Sequence, residues 1–244
     1  SWEAEQYLPF DPADVRVDYH VVAHDVARGT IDILLVAARR ESVAARLSLL
    51  EGTLHHPAIV EPEVCALTNA YLANYPDDLA GACLLVHVGR RVTTVCLVVD
   101  GEARFARDVS AGIQIHLDAL LRELSPRGID EDQAARGVEG GSVAGVASGD
   151  IENVLREASF ELAQAVRKTV EYHGEGVAPA GPVRVLLSGG AYLTPGLADV
   201  LSRELEAPVE IFDPFRRIAR ADAVLDAGVP RPAYAVAVGL AMRQ

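Results

Sequence analysis

The chain has 244 residues, half of them hydrophobic, and a formal net charge of −13. That supports one large domain or two small ones, and the acidic balance, with no long Lys/Arg cluster, argues against a nucleic-acid partner. No apolar run approaches the roughly 20 residues that a membrane span needs, and the three scattered cysteines, Cys65, Cys83 and Cys96, read as buried thiols rather than disulfides or a zinc cluster.

The first stretch, "WEAEQYLPF" (2–10), reads as the end of a helix running into Pro9. "VRVDYHVVAHDV" (15–26) and "TIDILLVAA" (30–38) read as two strands joined by a turn near 27–29. "RESVAARLSLLEGT" (40–53) predicts an amphipathic helix, and "HHPAIVEP" (55–62) a short strand and turn. Residues 1–60 therefore form a small α/β unit. Its histidines do not suggest a metal site. His20 and His24 share a strand face but sit about 13 Å apart, no third ligand is evident, and His55-His56 reads as a loop pair.

"PEVCALTNAYLANY" (62–75) is a second helix. "ACLLVHVG" (82–89), "TTVCLVV" (93–99) and "EARFARDV" (102–109) are strands, the last two joined by an Asp-Gly turn. "GIQIHLDALLREL" (112–124) is a helix. The Gly/Ser/Ala-rich "GVEGGSVAGVASGD" (137–150) reads as a flexible loop. "IENVLREASFELAQAVRKTVEYHG" (151–174) is one long helix or two joined ones.

"VRVLL" (183–187) is a buried strand that runs into Gly189-Gly190. Glycine allows positive φ and a close approach to the backbone. Thr194 can cap the following helix and Pro195 suits its first turn. Strand, Gly-Gly and helix make either a nucleotide-binding corner or a tight turn with no ligand, and the local pattern leaves both open. "APVEIFDPF" (207–215) is a short strand, 216–231 an irregular loop, and "PAYAVAVGLAMR" (232–243) a closing helix of small residues.

This order of elements resembles the second half of an actin-like ATPase. The stretches "WEAEQYLPFD", "VEPEVCAL", "VGRRVTTVCLVVDGE", "LSGGAYLTPGLADVLSREL", "PVEIFDPFRRI" and "AYAVAVGLAMR" extend the likeness over nearly the whole chain. They resemble the PilM family, the FtsA-related actin-like proteins of type IV pilus assembly. The resemblance implies an α/β actin-like ATPase fold with a ribonuclease H-like second lobe. Residues 1–60 would be the small FtsA-like inserted subdomain, and 61–244 the second lobe with a helical insertion near 126–157. The family's first phosphate loop, an Asp-x-Gly hairpin, is expected ahead of "SWEAEQ" and is absent from this sequence.

What the resemblance implies functionally follows residue by residue. Gly89, Thr93 and Thr94 would meet phosphates, and Gly189, Gly190 and Ala191 would face adenosine. Glu61, His87 and Lys168 are candidates for the cleft, and Tyr7 and Phe10 for partner contact. The implied cofactors are ATP and magnesium. The implied partners are the cytoplasmic tail of a PilN-like inner-membrane protein, other pilus assembly proteins and further copies in a ring. The implied location is cytoplasmic, at the inner membrane through that partner.

His87 stands where the family usually has an acid. A carboxylate there helps to hold hydrated magnesium, whereas neutral imidazole binds the ion poorly and imidazolium repels it. The substitution argues for at most weak ATPase activity and leaves nucleotide binding open. A working ATPase, or the cytoplasmic part of a GspL-like type II secretion protein, are the alternatives.

Overall fold

A computed structural model describes residues 11–25, 29–174, 178, 181–218 and 231–243. Tyr7, Phe10 and the helix end expected at 2–10 lie outside the described residues, as does most of the loop expected at 216–231. The chain divides into two compact units, residues 1–62 and 63–244.

In the first unit, β1 (Val15–Asp25) and β2 (Thr30–Arg39) pair antiparallel, with Val17 opposite Ala37 and Tyr19 opposite Leu35. The register shifts between Val21 and Ala23. Helix α1 (Arg40–Ser48) follows. It is shorter than the 40–53 expectation and, unlike an amphipathic helix laid on a core, has no buried residue. The strand expected within 55–62 does not form. Pro57 and Pro62 lack the amide that a ladder needs.

The second unit is a five-stranded sheet with helices on both faces. Helix α2 (Glu63–Asn74) leads into β3 (Ala82–Val88), β4 (Thr93–Val99) and β5 (Glu102–Val109). Helices α3 (Gln114–Leu124), α4 (Glu131–Val138) and the 27-residue α5 (Ser148–Gly174) come next. β6 (Arg184–Gly189), α6 (Leu197–Leu205), β7 (Val209–Ile211) and α7 (Ala235–Ala241) complete it. The strand order is β5-β4-β3-β6-β7, antiparallel from β3 to β5 and parallel from β3 through β6 to β7.

The central strands are apolar throughout because both faces are covered. Leu84, Val86, Val95, Leu97, Val185 and Leu187 pack against α5 and α6 through Leu162, Val166, Leu197 and Leu201. On the other face Cys83, Leu85, Cys96, Val98 and Leu186 meet Leu67, Ala70 and Tyr71 of α2 and Val238 of α7. Helices α2 and α7 cross in near backbone contact, since a Cβ on Gly239 would lie 1.7 Å from the Ala66 carbonyl oxygen.

Two local expectations are corrected. Residues 137–150 are not one flexible loop. Gly137 and Val138 end α4, whose Asp130 and Gln133 form a reciprocal capping box, Val143 is buried, and α5 already begins at Ser148. The glycines disguised the helix ends. Gly137 leaves room for Leu120, whose Cδ1 would sit 3.2 Å from an added Cβ. Nor does Thr194 cap α6. Gly196, at φ 78°, holds the N-cap position, and the Thr194 hydroxyl is buried without a partner.

Candidate functional site

Strands β3 and β6 run parallel and end side by side at Val88 and Gly189. From here β3 turns back into β4 while β6 leads the other way to β7. The carboxyl ends of parallel strands at such a reversal open a crevice for ligands.

Two glycine corners shape the crevice. Gly189 has φ 91°, and an added Cβ would lie 2.2 Å from the Val88 carbonyl oxygen. Only glycine allows the strands to close there. Gly190 begins a single 3₁₀ turn and has open space where a Cβ would go. In the β3–β4 hairpin, the Gly89 amide donates to Val92 O at 2.9 Å. The start of α3 is tied to this hairpin, with Ile113 N donating to Gly89 O at 3.0 Å and Gln114 N to Arg90 O at 2.8 Å. Those amides are spent on the protein's own carbonyls and do not point at a ligand.

The corners bound a cavity of about 350 Å³. His87, Gly89, Arg90, Gly189 and Gly190 line one side, and Gln114, Leu117, Val138 and Glu139 bring α3 and the end of α4 to it. Arg90 Nε donates to Gln114 Oε1 at 3.0 Å, and Gln114 Nε2 to Asp118 Oδ1 at 2.9 Å, so the cationic side chain is braced at the wall.

His87 sits in a polar row across four strands. It pairs with Ser188 of β6 and Thr94 of β4, and Thr94 pairs with Asp108 of β5. His87 Nδ1 is 2.9 Å from Ser188 Oγ, and Thr94 Oγ1 donates to Asp108 Oδ1 at 2.8 Å. With Nδ1 engaged, Nε2 is the ring nitrogen left to meet a ligand. Burial lowers the His87 pKa, and the negative charge of Glu63 opposes that shift. In the ligand-free cavity the imidazole is therefore neutral near pH 7.

Four of the residues singled out in the sequence meet at this cavity: His87, Gly89, Gly189 and Gly190. Thr93 and Thr94 do not line it. Both are buried, with Thr93 Oγ1 donating to Ala111 O at 2.7 Å and Thr94 committed to Asp108. Ala191 packs into the core beneath the corner. Lys168 lies with Phe160 and Gln164 along a shallow groove on α5. Glu61 belongs to the segment ahead of α2, in the first unit. Arg90, Gln114, Ser188 and Glu139 went unnoticed in the sequence. Ser188 and Arg90 each adjoin a glycine already marked, a usable hint, whereas Glu139 follows a helix hidden by its own glycine.

A second histidine, fully buried, lies elsewhere in this unit. His116 of α3 has Nε2 at 3.0 Å from Ser159 Oγ of α5, and its Nδ1 has no partner. Burial pushes its pKa down to about 4. The cysteines are free, with Cys83 and Cys96 buried. Burial raises both thiol pKa values, that of Cys96 to about 12. Among the described residues no group of three His, Cys, Asp or Glu side chains is placed to hold a metal ion.

A family model described as type IV pilus assembly protein PilM matches residues 1–244. Among solved structures, the chain is similar to one from a PilM-PilN type IV pilus biogenesis complex. The TM-score is 0.81 at 24% identity, over 99% of this chain and 70% of that one. It is similar to MreB 5 of Spiroplasma citri bound to AMPPNP, with a TM-score of 0.58 at 16% identity over 84% of this chain and 63% of that one. It is also similar to the ethanolamine utilization protein EutJ from Carboxydothermus hydrogenoformans, with a TM-score of 0.50 at 16% identity over 96% and 91%. The fold is actin-like.

Proposed function

The chain belongs to the PilM family of type IV pilus assembly proteins, and on that premise we propose that it is a scaffold of the inner-membrane assembly platform. The reading has it hold the cytoplasmic tail of a PilN-like membrane protein, with a nucleotide in the β3/β6 cavity biasing one conformation over another. Residues 1–60 serve as the FtsA-like subdomain and 61–244 as the second lobe, and the location is cytoplasmic, at the membrane through the partner. No described helix is long and apolar enough to cross a membrane.

The observation that carries this reading is the family match along the whole chain. The related structure that contains PilN supports the partner. The glycine-lined cavity at the ends of β3 and β6 supports the nucleotide. A hydrolytic reading has less support, because Glu139 is the one carboxylate among the described residues lining that cavity.

The test is a titration of a peptide spanning the PilN-like tail into the full-length protein, with and without ATP. Saturable binding that changes with ATP is expected. Gly190→Leu, which points a side chain into open space, should keep peptide binding and lose the response to ATP. No peptide binding would remove the partner reading. Peptide binding indifferent to ATP would remove the nucleotide's role.

A further inference from the structure

Actin-like ATPases hold their nucleotide phosphates through a magnesium ion, and the described residues of this cavity do not suit one. Magnesium demands near-octahedral oxygen ligands, usually carboxylate and water. Around the cavity the sheet supplies His87, the hairpin supplies Arg90, and α3 supplies the Gln114 amide. Among the described residues of the wall, Glu139, just past the C-terminal end of α4, is the one carboxylate. The polar row's own carboxylate, Asp108, is already taken by Thr94. Two residues with nitrogen cation-forming side chains, His87 and Arg90, are among those that line the cavity.

The same donor set suits a bare phosphate. Imidazole Nε2 and the guanidinium Nη groups of Arg90 are hydrogen-bond donors, and the charge-assisted bonds they make to phosphate oxygens are strong ones. Both side chains are fixed in advance. Ser188 holds Nδ1 of His87, and Gln114 holds Nε of Arg90. Neither needs to be reoriented when a ligand enters, which lowers the cost of binding.

Resting on the nucleotide reading above, we propose that this cavity binds the phosphates of a nucleotide without magnesium, with the His87 imidazolium and Arg90 in place of the metal. Binding is then linked to protons. The free histidine is neutral because partial burial lowers its pKa. A phosphate anion beside Nε2 favours the charged form, so the bound complex takes up a proton. Glu63 at the start of α2 favours the imidazolium; the other charged groups around the site are Arg90 of the hairpin and Glu139 after α4, both on the cavity wall, and Asp108 of β5 in the same polar row.

The experiment is calorimetry of ATP binding to the full-length protein at one pH, in EDTA and in excess magnesium, and in buffers of different ionisation enthalpy. The dissociation constant should be the same with and without magnesium to within about twofold. Proton uptake should be close to one per site and should fall away in His87→Gln, since the nucleotide's own protons are common to both proteins. His87→Asp should turn the site magnesium-dependent. Binding at least about tenfold tighter with magnesium than in EDTA would overturn this inference and leave the nucleotide reading standing. Equal binding with no His87-dependent proton uptake would overturn it too. No binding in either condition would remove both.

Discussion

Two regions of the second unit contain the same pair of residues, a histidine leaning on a serine, half-buried at one site and buried at the other. At the end of β3, His87 Nδ1 lies 2.9 Å from Ser188 Oγ. Between α3 and α5, His116 Nε2 lies 3.0 Å from Ser159 Oγ. Burial lowers both pKa values. The difference is what surrounds each ring. His87 is one of the residues that line a cavity; His116 is enclosed by packed protein, with no hydrogen-bond partner for Nδ1. A buried histidine with a shifted pKa is therefore no functional mark in itself, and the space beside the free nitrogen decides its use.

The largest expected effect comes from breaking the strand contact that brings Ser188 to His87. Gly189→Ala would put a Cβ 2.2 Å from the Val88 carbonyl oxygen at a φ of 91°. Backbone cannot yield there as a side chain can, so a loss of more than about 3 kcal/mol is expected, together with loss of the cavity. The helix contact has its own close glycine, Gly137, but an added Cβ there meets the end of Leu120, 3.2 Å away. Gly137→Ala should change stability by less than about 1 kcal/mol, since the side chain can shift and alanine favours a helix. Thermal unfolding of the two variants checks this, and similar losses would contradict it.

Acid should weaken the helix contact next. In the folded state His116 titrates at about 4 against an ordinary 6.5. Between those values the unfolded chain binds the proton and the folded chain does not, so stability rises with pH. It should be fully present above about 6.5 and fall by about 1.4 kcal/mol per pH unit toward 4. The double variant His116→Leu with Ser159→Ala should show a shallower fall in urea unfolding over that range. An unchanged slope would remove His116 as the cause. His87 contributes in the same direction when free, but a phosphate ligand should cancel its share and leave that of His116.

How much of this could be read in the sequence depended on the kind of residue. The strands at 82–109 and 183–187 were plain because unbroken apolar runs have few other uses, and the glycine corners were plain because glycine before a helix is conspicuous. The threonines were misleading. Thr93 and Thr94 lie on the expected hairpin, yet Thr93 bonds the chain near α3 and Thr94 bonds Asp108, 14 residues on. Such pairings come from the sheet register and do not show in local spacing. The wall supplied by α4 was hidden for a related reason: a short helix ending in Gly137-Val138 and followed by Gly140-Gly141 looks like a linker until its capping box is seen. The two histidine–serine pairs were equally out of reach, separated by 101 and 43 residues.

The smallest effect gives the sharpest test of the comparison, because one change can be made in both regions. Ser159→Ala removes the hydrogen bond of a ring whose other nitrogen already has none. The buried His116 ring would then keep only its interaction with the Ile113 backbone, at a cost of about 1–3 kcal/mol. Ser188→Ala removes the matching bond from His87, but that ring borders a cavity where water can replace the lost partner. The cost there should stay below about 1 kcal/mol. What Ser188 supplies is orientation, so its loss should appear in ATP affinity measured without magnesium, while Ser159→Ala leaves that affinity alone. Equal losses of stability with no change in affinity would mean that His87, like His116, serves only the core.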